Sequence, residues 1–361
     1  MIYPWLEPLW ARWVEMGERV PHALLLSGAA GLGKRDLAEA MAARQLCESP
    51  QADGQACGHC SPCQWRISGN HPDLRRLVPE IKEESGGGDE AGEADSESSS
   101  GESKAKPTQG APQILISQIR AVQEALTLTA HHRNRRAVIV DPAEAMNPVT
   151  ANALLKLLEE PPEGCVFLLV SSAPRRLLPT IRSRCQQWAV PRPDAEAVRR
   201  WQAAQNGANR VPDNLLAFCG GLPLAAHRLA EQGGGTLFER FTGDLCAERF
   251  DPLRLAAQWE SWLKKDKTCA AAKFGLVTLV EWMQRWVSDL AAMRLGGRVR
   301  YFPAQSKRLA VLSSKLSKAA AAGITVQFTQ FRRVAAHPLN LRLFLENMLI
   351  TYENALKGSA P

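Results

Sequence analysis

In the first half of the chain, apolar residues come in short unbroken runs separated by stretches where they recur every three or four positions. Ala23-Leu24-Leu25-Leu26, Ala137-Val138-Ile139-Val140 and residues 166–170 are such runs, and residues 187–190 form a fourth. A strand that is apolar at every position is buried on both faces. Residues 36–47, 114–128 and 148–160 carry helical spacing, and Pro161-Pro162 stops the last of them. Strands alternating with helices predict an α/β domain, a parallel sheet covered by helices on both faces.

After Pro191-Arg192-Pro193 the strand pattern ends. Short helices are expected over residues 195–205, 213–219 and 223–231, with Gly220-Gly221 as a break and Gly233-Gly234-Gly235 as a linker. From residue 236 onward the pattern is helical throughout. Trp259 and Trp262, and likewise Trp282 and Trp286, share a helix face by their spacing and are expected in a bundle core. Residues 80–111 break both patterns. They hold nine acidic residues and three lysines with almost no apolar content, which predicts a disordered acidic insertion inside the first domain.

That insertion changes the charge picture. The chain of 361 residues carries +7 overall, but the insertion holds −6, so the remainder is +13. A basic body suits nucleic acid or an acidic partner, or is simply a solvated surface. The length suggests two or three domains. No apolar run approaches the roughly 18 residues a membrane span needs, and the N-terminus shows no secretory pattern. A cytoplasmic protein is expected. Nine cysteines are present, four of them clustered as Cys47, Cys57, Cys60 and Cys63. Without a secretion signal the cluster reads as metal ligands.

Four motifs carry candidate chemistry. Gly28-Ala29-Ala30-Gly31-Leu32-Gly33-Lys34-Arg35 follows a strand and opens a helix, the context of a phosphate-binding P-loop. Its glycines let backbone N–H groups wrap an anion, and Lys34 would reach the outer phosphates. Arg35 stands where a working P-loop has the Ser or Thr that holds magnesium. The second motif is the strand ending in Asp141, the magnesium-side partner of a P-loop; the next residue is Pro142 rather than a carboxylate that could activate water. Glu144 is expected to face elsewhere. Two separate parts of hydrolysis are therefore missing, and competent use of Mg-ATP is not expected. The alternative for this loop is a strand-to-helix turn that merely keeps the shape. The third motif is Thr180-Ile181-Arg182-Ser183-Arg184-Cys185, which can project an arginine from a domain edge. The fourth is the cysteine cluster, with the close spacing of a structural zinc site of four thiolates. Its inner spacing also resembles the start of an iron–sulfur site, although the further ligand followed by Pro is absent. His59 and His71 are spare donors nearby. Residues 152–162, ending in Leu157-Leu158-Glu159-Glu160-Pro161-Pro162, read as an amphipathic helix with no chemistry of their own.

These pieces in this order resemble the AAA+ clamp-loader family of the bacterial DNA polymerase III system. The matching residues are Pro21-His22-Ala23-Leu24-Leu25, the P-loop, the four cysteines, Gly69-Asn70-His71-Pro72-Asp73-Leu74, the Asp141 strand, residues 152–162 and residues 178–185. The resemblance covers about residues 1–230; the helical C-terminal third matches in architecture. It implies an AAA+ RecA-like domain over residues 1–191 with a zinc module at about 47–63, a small helical lid over 192–232, and an all-α collar over 236–361. Within the family it implies the non-hydrolysing stator, with Gly28, Gly31, Gly33, Lys34 and Asp141 as a degenerate nucleotide site. Arg184 would be an arginine finger offered in trans. The implied partners are the gamma/tau ATPase subunits, the delta subunit, the sliding clamp, and primer–template DNA through the assembled complex. The isolated chain is expected to have no activity, although it serves a DNA-directed polymerase holoenzyme. Two rivals are a catalytic gamma/tau-type ATPase, which needs Ser or Thr at 35 and an acid at 142, and a zinc-dependent nucleic-acid-binding regulator.

Overall fold

The computed structural model describes residues 2–80, 112–127, 135–205 and 210–358. The chain divides between Arg192 and Pro193 into two compact units.

The first unit is built on a five-stranded sheet. Its strands are β1 (Ala23–Ser27), β2 (Leu74–Leu77), β3 (Arg136–Val140), β4 (Cys165–Ser171) and β5 (Gln186–Ala189), in the order β2-β3-β4-β1-β5. Every pairing is parallel, with Leu24 opposite Leu168 on one side and Gln186 on the other. The helices are α1 (Glu7–Met16), α2 (Lys34–Leu46), α3 (Ser61–Ile67), α4 (Ile116–Thr127), α5 (Pro148–Glu159) and α6 (Pro179–Arg184). Side chains alternate across a strand. Leu25, Val138, Val140, Phe167 and Leu169 therefore share one core with Ile119 and Val122 of α4, Leu154 and Leu158 of α5, and Ile181 of α6. Leu37, Ala38 and Met41 of α2, which packs against β1, β3 and β4, are also fully buried. The expected α/β architecture is the one observed.

Three details differ from expectation. β2 is an additional edge strand whose middle residues, Arg75 and Arg76, mask its pattern in the sequence; Leu74 and Leu77 are buried, and Arg76 is tied to Glu39 of α2 at 2.6 Å. Ile114 lies outside α4, in a bridge to Met146. Glu80, the first residue of the expected acidic insertion, belongs to the fold: it exchanges two backbone hydrogen bonds with Gln113. Residues 81–111 of the insertion lie outside the described residues.

The second unit is helical among the described residues. Its helices are α7 (Ala195–Ala203), α8 (Asp213–Phe218), α9 (Pro223–Glu231), α10 (Gly234–Cys246), α11 (Pro252–Lys265), α12 (Lys267–Ala271), α13 (Leu276–Arg294), α14 (Ser306–Ser314), α15 (Lys318–Val334) and α16 (Leu341–Lys357). Trp259, Trp262, Trp282 and Trp286 are all buried, as their spacing predicts. Phe218 of α8 packs on Phe238 and Trp282 with ring centroids 4.9 Å away, so α8 shares the aromatic core of the long helices. Gly233-Gly234-Gly235 is not an open linker. Gly233 caps α10 at φ 75°, and a Cβ on Gly234 would lie 2.3 Å from Leu229 Cδ1, so the run forms a close corner between α9 and α10. Among the described residues no single helix is long and apolar enough to cross a membrane.

Candidate nucleotide site, edge arginine and cysteine cluster

β1 has neighbours on both sides, β4 and β5, that come later in the chain, and its C-terminal end is a switch point where ligands bind in open parallel sheets. The loop of Gly28, Gly31 and Gly33 emerges there. Gly28 has φ 155°, and a Cβ on it would meet Val190 O and Leu32 Cδ1 at 3.0 Å each, so only glycine suits this close approach of loop and sheet. Gly33 caps α2 in the left-handed region at φ 79°. Trp5 holds the loop from the N-terminal side by donating from its indole N–H to Leu32 O at 2.9 Å.

Lys34 is buried. Its ammonium donates to Gly28 O at 2.9 Å, Ala29 O at 2.7 Å and Ser172 Oγ at 3.0 Å. Three acceptors match the three N–H groups of an ammonium. Arg35, the second residue of α2, is largely exposed, and its Nε lies 3.6 Å from Asp141 Oδ2 at the end of β3. A guanidinium thus faces the carboxylate that would serve a magnesium ion in a working P-loop site. Glu144 turns to the end of β4: its Oε1 accepts from the backbone N–H groups of Ser172 at 2.9 Å and Ala173 at 3.1 Å. Lys34, Ser172 and Glu144 form one polar chain under the loop. Ser172 carries no signal in the sequence, because its place follows only from the neighbouring strand end.

Arg184 is not part of that group. It is the last residue of α6, just before Cys185 and β5, and is about one-third exposed. Its Nη2 lies 2.5 Å from Glu159 Oε1 and its Nη1 donates to Thr180 O at 3.1 Å.

The cysteines meet where α2 ends and α3 begins. The four sulfurs lie within 4.8 Å of one another, with Cys47 to Cys60 and Cys57 to Cys63 at 3.9 Å. A tetrahedron of ~2.3 Å zinc–sulfur bonds has edges of roughly 3.8 Å. Backbone N–H groups of Cys57 and Cys60 point at Cys47 Sγ and Cys57 Sγ, both at 3.3 Å, as they would toward thiolates. The Cys60 N–H pulls Cys57 down to about 6, whereas burial pushes Cys63 up to about 12 and also raises Cys47. Thiolates gathered this closely need a cation to offset their repulsion and desolvation. The spare histidines point elsewhere: His59 donates to Cys57 O at 3.0 Å, and His71 accepts from the Asp73 N–H at 3.0 Å. The group can hold a metal ion, and its donor set and spacing fit zinc.

A parallel sheet with a P-loop-shaped turn at its switch point, an Asp-ended strand two places away and a helical C-terminal unit define a P-loop ATPase-like fold with altered metal-side residues. The sequence profile of the family described as "DNA polymerase III, delta subunit" matches residues 9–194. The DNA polymerase III subunit delta' of Escherichia coli is 31% identical over 294 residues, covering 81% of this chain and 70% of that protein. The same subunit of Pseudomonas aeruginosa is 43% identical over 236 residues, covering 64% of this chain and 62% of that protein. The subunit tau of Bacillus subtilis is 27% identical over 181 residues, or 50% of this chain and 26% of that protein. The chain belongs to the delta-prime family of DNA polymerase III subunits. The match to the P. aeruginosa relative thus spans somewhat under two-thirds of that relative's length.

Proposed function

We propose that the chain is the non-hydrolysing stator of a DNA polymerase III clamp loader, the complex that places the sliding clamp on primed DNA during replication. Family membership supports the role. The observation that carries the non-hydrolysing part is the Arg35–Asp141 pair, in which the chain's own cation faces the carboxylate a catalytic metal would need. Pro142 adds to it, because it has no group to activate water. Gly28, Gly31, Gly33, Lys34 and Asp141 form a degenerate nucleotide site. Arg184 is an arginine finger presented at the domain edge to ATP bound by a neighbouring gamma/tau-type subunit, where its charge stabilises phosphoryl transfer. Residues 1–191 act as the AAA+ domain, 192–232 as its lid and 236–361 as the collar. The delta subunit and the clamp are further partners. DNA is met through the assembled complex by contacts to phosphates. Cys47, Cys57, Cys60 and Cys63 hold a structural zinc; four protein ligands leave no open position for catalysis. The protein works in the cytoplasm.

The experiment is ATP hydrolysis by the purified chain with and without primed DNA. The reading expects no DNA-stimulated turnover. Robust turnover would rule it out and favour a catalytic gamma/tau-type subunit.

A further inference from the structure

The run Glu159-Glu160-Pro161-Pro162 has no chemistry in the sequence, yet the fold brings its first carboxylate to the end of α6. Arg184 Nη2 is 2.5 Å from Glu159 Oε1, and Nη1 is engaged by Thr180 O at 3.1 Å. Both terminal nitrogens of the guanidinium are therefore occupied within this chain. The same nitrogens would form the fork that grips a phosphate. Glu159 is the last residue of α5, where the partial negative charge of the helix end adds to that of the carboxylate. Neither group is deeply buried: their side chains are 35% and 47% exposed. A bridge of this kind is screened by water and worth little, so a group with more negative charge can displace it.

We propose that Glu159 is a positioning residue that parks Arg184, holding and neutralising the guanidinium until a γ-phosphate takes its place. This rests on the role proposed above for Arg184. In the subunit on its own, the finger's charge is met in cis and its side chain is held at the end of α6. In the assembled loader, the terminal phosphate of the neighbour's ATP displaces the Glu159 carboxylate from Nη2. The carboxylate remains close by and competes with the phosphate for the guanidinium at each turnover. Glu159 is thus a restraint on the finger, with no contact of its own to the nucleotide.

The test is DNA- and clamp-stimulated ATP hydrolysis by the loader reconstituted from its cognate subunits. It compares the wild-type chain with Glu159→Gln, Arg184→Ala and the double variant, and includes Glu160→Gln as a surface control. Assembly of each complex is checked by gel filtration. Glu159→Gln is expected to raise turnover by about two- to fivefold, the most that a partly exposed ion pair can supply. Glu160→Gln is expected to change nothing. In the Arg184→Ala background, Glu159→Gln is expected to have no effect, because nothing remains to be released. No change or a fall on Glu159→Gln alone overturns the restraint. So does a change that persists unaltered without Arg184. Arg184→Ala leaving turnover intact overturns the finger itself, and the restraint with it.

Discussion

Lys34 and Arg35 are adjacent cations with opposite orientations. Lys34 folds into the loop and bonds its carbonyls, whereas Arg35 reaches across to Asp141. Replacing Arg35 by Thr removes that charge and supplies a hydroxyl where a metal ligand belongs. Mg-ATP affinity is expected to rise by about tenfold or more, the scale of one restored magnesium contact and one removed like charge. Hydrolysis is expected to stay absent because Pro142 is unchanged. Calorimetric titration alongside a turnover assay checks both halves, and affinity that does not move would show that Arg35 is not what excludes the metal. The departures at 35 and 142 are legible in the sequence, since a motif fixes which residue type belongs at each place. Ser172 and Glu159 are not. Their contacts to Lys34 and Arg184 join residues far apart in the chain, and spacing carries no sign of such contacts.

Among elements, the cysteine module shows the most direct link from spacing to structure. The short intervals between Cys57, Cys60 and Cys63 let one loop and the start of α3 present three sulfurs, and α2 delivers Cys47 from its end. The purified protein is expected to hold one zinc per chain by elemental analysis. Cys60→Ser is expected to lose it and to melt several degrees lower; a variant with full zinc content would contradict the four-thiolate site. β2 was illegible because two arginines interrupt its apolar pattern, and its two buried leucines, three residues apart, face opposite sides of the sheet, so neither face shows an apolar alternation. α12 offers a test by pH. Its cap Asp266 accepts from the hydroxyl and backbone N–H of Thr268 and pairs with Arg240, which hold its carboxyl at about 2. A carboxyl lowered in the folded state stabilises fully above its unfolded value of about 4, and the contribution is lost as pH falls toward 2. The stability gap between wild type and Asp266→Asn, measured by denaturant unfolding, is expected to be constant above about pH 5 and to close below pH 4. A gap that does not change with pH would mean that the cap works through shape alone.

At the scale of the whole molecule, the α/β-then-helical order was legible because continuous apolar strands and helical spacing are strong local signals. The packing of the second unit was less so. A run of three glycines resembles a linker until the tight approach of Gly234 to Leu229 shows a corner. The central claim is that this chain cannot complete hydrolysis in its own site and instead completes a neighbour's. The most direct measurement is DNA- and clamp-stimulated ATP hydrolysis by the reconstituted loader, with wild-type chain or Arg184→Ala. The expected result is a fall of at least about tenfold with assembly intact, well within the roughly thousandfold a finger is worth at a single site. Unchanged turnover in an intact complex would contradict the claim and leave Arg184 an ordinary surface arginine.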